Sequence, residues 1–97
     1  MELKEFLNKV VIGAKSKRRY VLYRITSPEI MIKTEQPDEN GRYMFYTYST
    51  INGDPISNGT LRFEDPSLTE PFKAAYDAYC RTQDARMEEY GYWMRKD

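Results

Sequence analysis

Asn-Gly occurs three times within twenty residues, at 40–41, 52–53 and 58–59. Both residues of such a pair tolerate the positive φ that a tight reversal demands. A chain broken this often through its middle is confined there to short extended segments, and the runs around the breaks have strand composition. Arg18 to Thr26 (Arg-Arg-Tyr-Val-Leu-Tyr-Arg-Ile-Thr) is dense in aromatic and β-branched residues and is closed by Ser27-Pro28. Glu29 to Glu35 alternates, with Ile30, Ile32 and Thr34 on one face and Glu29, Met31, Lys33 and Glu35 on the other. Pro37-Asp38-Glu39-Asn40-Gly41 then turns the chain into the run Arg42 to Ile51, and Thr60 to Glu64 supplies a fourth strand with Leu61 and Phe63 inward. Four antiparallel strands in meander order are the simplest assembly.

Helical periodicity flanks this region. Leu3, Phe6, Leu7, Val10 and Val11 fall on one helical face, which predicts a short N-terminal helix ending near Gly13 and too small to stand without docking on the sheet. Beyond Asp65-Pro66, Ser67 and Glu70 have capping-box spacing, Thr69 suits an N-cap, and Pro71 is tolerated in a first turn. Phe72, Ala75, Tyr76, Tyr79, Gln83, Met87, Tyr90 and Met94 gather on one side of the helix that follows, and Glu70, Asp77, Asp84 and Glu88 on the other. Gly91 loosens its end, leaving 91–97 as a loose aromatic tail. The predicted fold is a single α+β domain over 1–97, a four-stranded antiparallel meander with a short N-terminal and a long C-terminal helix, in the order α-β-β-β-β-α.

Ninety-seven residues support one core. Nine Tyr and a 40% hydrophobic content argue for folding despite 31% charged residues, and the mean hydropathy of -0.80 is low partly because Tyr is scored as polar although its ring buries well. The longest apolar runs, such as Val10-Val11-Ile12, fall far short of the roughly 20 residues of a membrane span. Met1 to Glu5 is charged and has no apolar leader. A lone cysteine excludes an internal disulfide and fits a reducing, cytoplasmic setting. The net charge is zero but unevenly placed: seven Lys/Arg face two Glu up to residue 26, and eight face thirteen acids beyond it. That asymmetry suits a local charged partner and argues against nonspecific coating of nucleic acid.

Catalytic constellations are not visible. The absence of histidine removes imidazole nucleophile pairs, acid-base catalysis and metal ligation. Cys80 stands beside Arg81 without a base and reads as structural. Adjacent acids at Asp38-Glu39, Glu64-Asp65 and Glu88-Glu89 seldom share a face, and the stripe Asp77, Asp84, Glu88 is interleaved with Lys73 and Arg81 as on an ordinary solvated helix. There is no glycine-rich phosphate loop. No enzyme activity, cofactor or metal is expected.

Two surface features remain. Lys15, Lys17, Arg18, Arg19 and Arg24 place five cations in ten residues with no acid among them, which can gather phosphates or guard an edge strand. Simple alternation sends Tyr20, Leu22 and Arg24 to one face and Arg19, Val21, Tyr23 and Ile25 to the other. In addition, the first and third predicted strands are apolar on both sides, with Tyr43 and Phe45 opposing Met44, Tyr46 and Tyr48. If the two helices cover one face each, no aromatic surface is left. If they share a face, a Tyr-rich sheet stays open, with the composition of a protein interface. The expected function is a non-catalytic protein-binding module, a small inhibitor or modulator of a larger protein in the size class encoded by phages and mobile elements against host defences. Tyr20, Tyr43, Tyr46, Tyr48 and Trp93 are its candidate contacts, and pairing with a second copy is a further expectation. The alternative is single-stranded nucleic-acid binding through Lys15, Lys17, Arg18, Arg19 and Arg24 with stacking tyrosines. Four strands followed by a long helix resemble small ββββα single-strand binders by fold analogy alone.

Overall fold

The computed structural model describes residues 2–83. Its N-terminal helical run lasts a single 3-10 turn, Leu3–Phe6, closed by the Glu2 amide donating to Glu5 Oε2 at 2.9 Å. Asn8 then takes a φ of 69°, a left-handed conformation that Asn accepts more readily than most residues. Val10–Gly13 follows as strand β1, where a helix was expected. Three successive β-branched side chains are stiff in a helix and suit a pleated surface, and here the sheet offers them a neighbour on each side.

The remaining strands are β2 (Arg19–Ile25), β3 (Glu29–Thr34), β4 (Phe45–Ser49) and β5 (Leu61–Phe63). Their order is β4-β3-β2-β1-β5, with every neighbouring pair antiparallel. The sheet therefore has five strands instead of the expected four. The first four form a meander and the last returns to the opposite edge, beside β1.

Residues 50–60 make that return. Thr50 N–H donates to the Pro28 carbonyl at 2.7 Å, and Asp54 Oδ1 accepts from the Ile56 and Ser57 amides at 2.9 Å each, holding a turn that buries Ile56. Leu61 N–H to Pro55 O at 3.0 Å and Ala14 N–H to Thr60 O at 2.9 Å fasten the far end. The Asn-Gly pairs at 52–53 and 58–59 shape this crossover and do not close hairpins.

Helix α1, Thr69–Gln83, is entered through a 3-10 turn, Pro66–Leu68. The cap lies earlier than Thr69: Asp65 Oδ1 accepts from the Ser67 amide at 3.0 Å and from its hydroxyl at 2.7 Å. Phe72, Tyr76 and Tyr79 are buried as their spacing predicts. The predicted continuation through Met87, Tyr90 and Met94, and the tail 91–97, lie outside the described residues.

Among the described residues the core contacts gather on one side of the sheet. Val11, Leu22, Ile25, Ile30, Ile32, Leu61 and Phe63 meet Leu3, Phe6, Ile56, Phe72, Tyr76 and Tyr79 there. Phe6 sits edge-on to Phe72 with centroids 5.3 Å apart, and Phe72 meets Phe63 at 5.5 Å, so the N-terminal turn, β5 and α1 share one aromatic junction. The register of β2 on β3 shifts between Leu22 and Arg24. This bulge turns Ile25 into the core and Arg24, opposite Met31, to the other face, reversing the simple alternation for both. The helical segments thus lie on the same face of the sheet.

Candidate functional site

The opposite face is where side chains are left without a covering layer among the described residues. Val10, Ile12, Val21 and Met31 are half-buried on it by their neighbours, and three rings stand above them: Tyr23, Tyr43 and Phe45, at 38%, 40% and 48% exposure. The bulge in β2 brings Tyr23 edge-on to Phe45, with centroids 5.0 Å apart. Lys33, opposite Phe45 in the β3–β4 register, rises among the rings: its Nζ is 4.3 Å from the centre of Tyr43 and 5.7 Å from that of Tyr23. A cation seated on aromatic faces stays solvated on one side and keeps its charge available to a partner.

At the β1–β2–β5 end of this face Arg19 lies between two carboxylates. Its Nε and Nη2 donate to Glu35 at 2.8 and 3.2 Å, and its Nη1 donates to Glu64 at 2.6 Å. The two hydrogen-bonded carboxylates raise the guanidinium pKa, and the bond from Arg19 lowers that of Glu35. Arg24 and Arg62 are exposed on the same face.

No family model, curated protein or solved structure matches the chain.

A cleft of about 580 Å³ opens on the helix-bearing side, between the β1–β2 turn and the end of the crossover. Tyr20, Tyr46 and Tyr48 form its floor, with Lys15, Ser16, Asn58 and Thr60 at its edges. Tyr20 and Tyr46 meet edge-on at 5.6 Å, and burial pushes the Tyr48 phenol pKa up.

The residues singled out from sequence are therefore divided. Tyr43 is on the open face. Tyr20 is buried on the other side, where Tyr46 and Tyr48 flank it in the cleft. Trp93 lies outside the described residues. Of the basic run, Lys15 borders the cleft, Lys17 (φ 61°) and Arg18 sit exposed at the β1–β2 turn, and Arg19 and Arg24 face the open side. The five cations do not line one groove. Met31, Lys33 and Phe45 were missed as contacts, although their alternation in β3 and β4 already places them beside Tyr43. Among the described residues no three His, Cys, Asp or Glu side chains group as metal ligands would.

Proposed function

We propose that this chain is a non-catalytic protein-binding module which docks a larger protein on the open sheet face, acting as an inhibitor or modulator by occupying its partner's surface. The observation that carries the reading is one-sidedness: among the described residues the N-terminal turn and α1 cover one face, while Tyr23, Tyr43 and Phe45 stand exposed around Lys33 on the other. Aromatic anchors around a cation have the composition of an interface core, and a ring turning on only two side-chain torsions has little entropy to lose on docking. The complementary surface would offer an apolar pocket for Phe45 and a carboxylate for Lys33. Arg19, already held by Glu35 and Glu64, favours a protein over a nucleic-acid strand, because it brings no uncompensated charge to a phosphate. Among the described residues no helix is long and apolar enough to cross a membrane. A cytoplasmic role of the kind phages and mobile elements encode fits this reading.

The test is capture on the immobilised chain from a host lysate, with and without nuclease, comparing the natural sequence with Tyr43→Ser and Phe45→Ser. A protein retained after nuclease, and held at least tenfold more weakly by each variant, is the expected result. That factor corresponds to about 1.4 kcal/mol, the scale of an interface anchor. Both variants should stay folded and lose no more than about 1 kcal/mol of stability, the scale of one cross-strand contact, since these rings are not in the core. Nuclease-sensitive capture, or binding indifferent to both substitutions, overturns the proposal.

A further inference from the structure

The two edges of the sheet are built differently. β5 is three residues long, has Arg62 at its centre and runs into Glu64, Asp65 and Pro66, all features that discourage another strand from pairing. β4 has none of them. Between Arg42 and Asp54 there are eleven consecutive residues without a charge or a proline, and they include Tyr43, Phe45, Tyr46, Tyr48 and Ile51.

The hydrogen-bond pattern shows which groups β4 offers. Met44 O accepts from Thr34 N–H at 2.9 Å, and Thr50 N–H donates to Pro28 O at 2.7 Å, so the even-numbered residues of this stretch point their backbone groups toward β3. Alternation in an antiparallel ladder then directs the N–H and C=O of Phe45, Thr47 and Ser49 outward. Among the described residues no strand lies beyond β4 to receive them.

We propose that β4 pairs antiparallel with β4 of a second copy of this chain, centred on Thr47, so that two five-stranded sheets join into one of ten strands. The register follows from charge. Lys33 lies opposite Phe45 and Glu29 opposite Ser49. With Thr47 facing Thr47, each flanking row reads Lys33, Phe45, then Ser49 and Glu29 of the second copy. The two charges are opposite in sign and about 14 Å apart at the backbone, on the same face of the joined sheet. Centring the pair on Phe45 would put Lys33 in line with Lys33, and centring it on Ser49 would put Glu29 in line with Glu29. Only the Thr47 register sets unlike charges in the same row. On the helix-bearing side it also places Tyr46 opposite Tyr48 of the second copy twice, and aromatic cross-strand pairs of this kind stabilise a ladder.

This dimer is independent of the partner-binding reading, and its test needs no other protein. Light scattering on the eluting natural chain should give twice the 11.5 kDa of one copy. Thr47→Lys should elute as a monomer, as should Thr47→Glu, because each sets like charges against each other at the two-fold axis. An equimolar mixture of the two variants should recover the dimer mass. Should either variant fail to fold, amide exchange on the natural chain decides the question. Phe45, Thr47 and Ser49 amides are protected in the proposed pair and exchange freely if the edge is bare. A monomer mass at the highest soluble concentration, a dimer unaffected by Thr47→Lys, or fast exchange at those three amides overturns the proposal.

Discussion

Tyr76 joins three separate parts of the fold through one oxygen. Its hydroxyl donates to the Thr26 carbonyl at 2.7 Å and shares a second hydrogen bond with Thr50 Oγ1 at 3.0 Å, while its ring stacks on Phe72 with centroids 5.7 Å apart. The helix, the β2–β3 turn and the start of the crossover are thereby held at a fixed spacing. Arg19 makes three hydrogen bonds, but it makes them in solvent, where screening and the ordering of long side chains offset most of the gain. The largely buried phenol matters more for stability than the exposed cation. Tyr76→Phe keeps the ring and removes only the oxygen. It should lower unfolding free energy by about 1 kcal/mol in urea titrations, and by about 2 if the Thr26 carbonyl is left without a donor.

Among the elements, the crossover 50–60 does most to decide the topology, and its central turn is held by one carboxylate. Asp54 is buried to 8% exposure, and its Oδ1 takes two amides that the turn would otherwise leave bare. Asp54→Ala should destabilise the chain by about 1–2 kcal/mol, whereas Asp54→Asn, which keeps the acceptor, should stay within about 0.5 kcal/mol of the natural midpoint when both are unfolded in urea. Strands β2 to β5 and helix α1 were legible in the sequence because their two periods are distinct: Ile30 and Ile32, or Leu61 and Phe63, alternate, while Phe72, Tyr76 and Tyr79 recur at helical spacing. β1 was not. Val10 and Val11 complete a helical face with Leu3, Phe6 and Leu7 as well as they begin a strand, and a short apolar run has no internal evidence to separate the two. The crossover escaped for another reason. Asn-Gly marks where the backbone can reverse but not which strand it returns to, and pairing of β5 with β1 is a long-range event. The bulge between Leu22 and Arg24 likewise has no glycine or proline to announce it.

At the scale of the molecule, the placement of the helical layer decides what is surface. Residue alternation grouped Tyr43 with Phe45 and Tyr46 with Tyr48, but which pair would be covered depended on where α1 docked, and that follows from the aromatic junction of Phe6, Phe63 and Phe72. The same layering separates the groups whose ionisation differs between folded and unfolded chain. Glu35 and Asp65 are on the surface, and both have pKa values below the ordinary 4.5 and 3.8, Glu35 through Arg19 and Asp65 through the Ser67 hydroxyl and amide. A depressed carboxylate contributes stability above its unfolded pKa and loses it as the pH falls through the folded value. Tyr76 and Tyr48 are pushed above 10.0, chiefly by burial. A raised phenol contributes fully below its unfolded pKa and loses that contribution as the pH climbs beyond it, because the unfolded chain ionises first. Stability should therefore be flat between about pH 5 and pH 9 and fall on either side. The two limbs should differ in their response to salt. The part of the acid limb carried by Glu35 and Arg19 is an exposed ion pair, which ions at about 1 M screen within roughly 3 Å. The alkaline limb arises from desolvation, which salt does not screen. In melting temperatures measured across pH, the acid fall should be shallower at high salt than at low salt while the alkaline fall keeps its slope, and Tyr76→Phe should make the alkaline fall shallower. An alkaline limb that salt abolishes, or that Tyr76→Phe leaves unchanged, would mean that the buried phenols do not govern it.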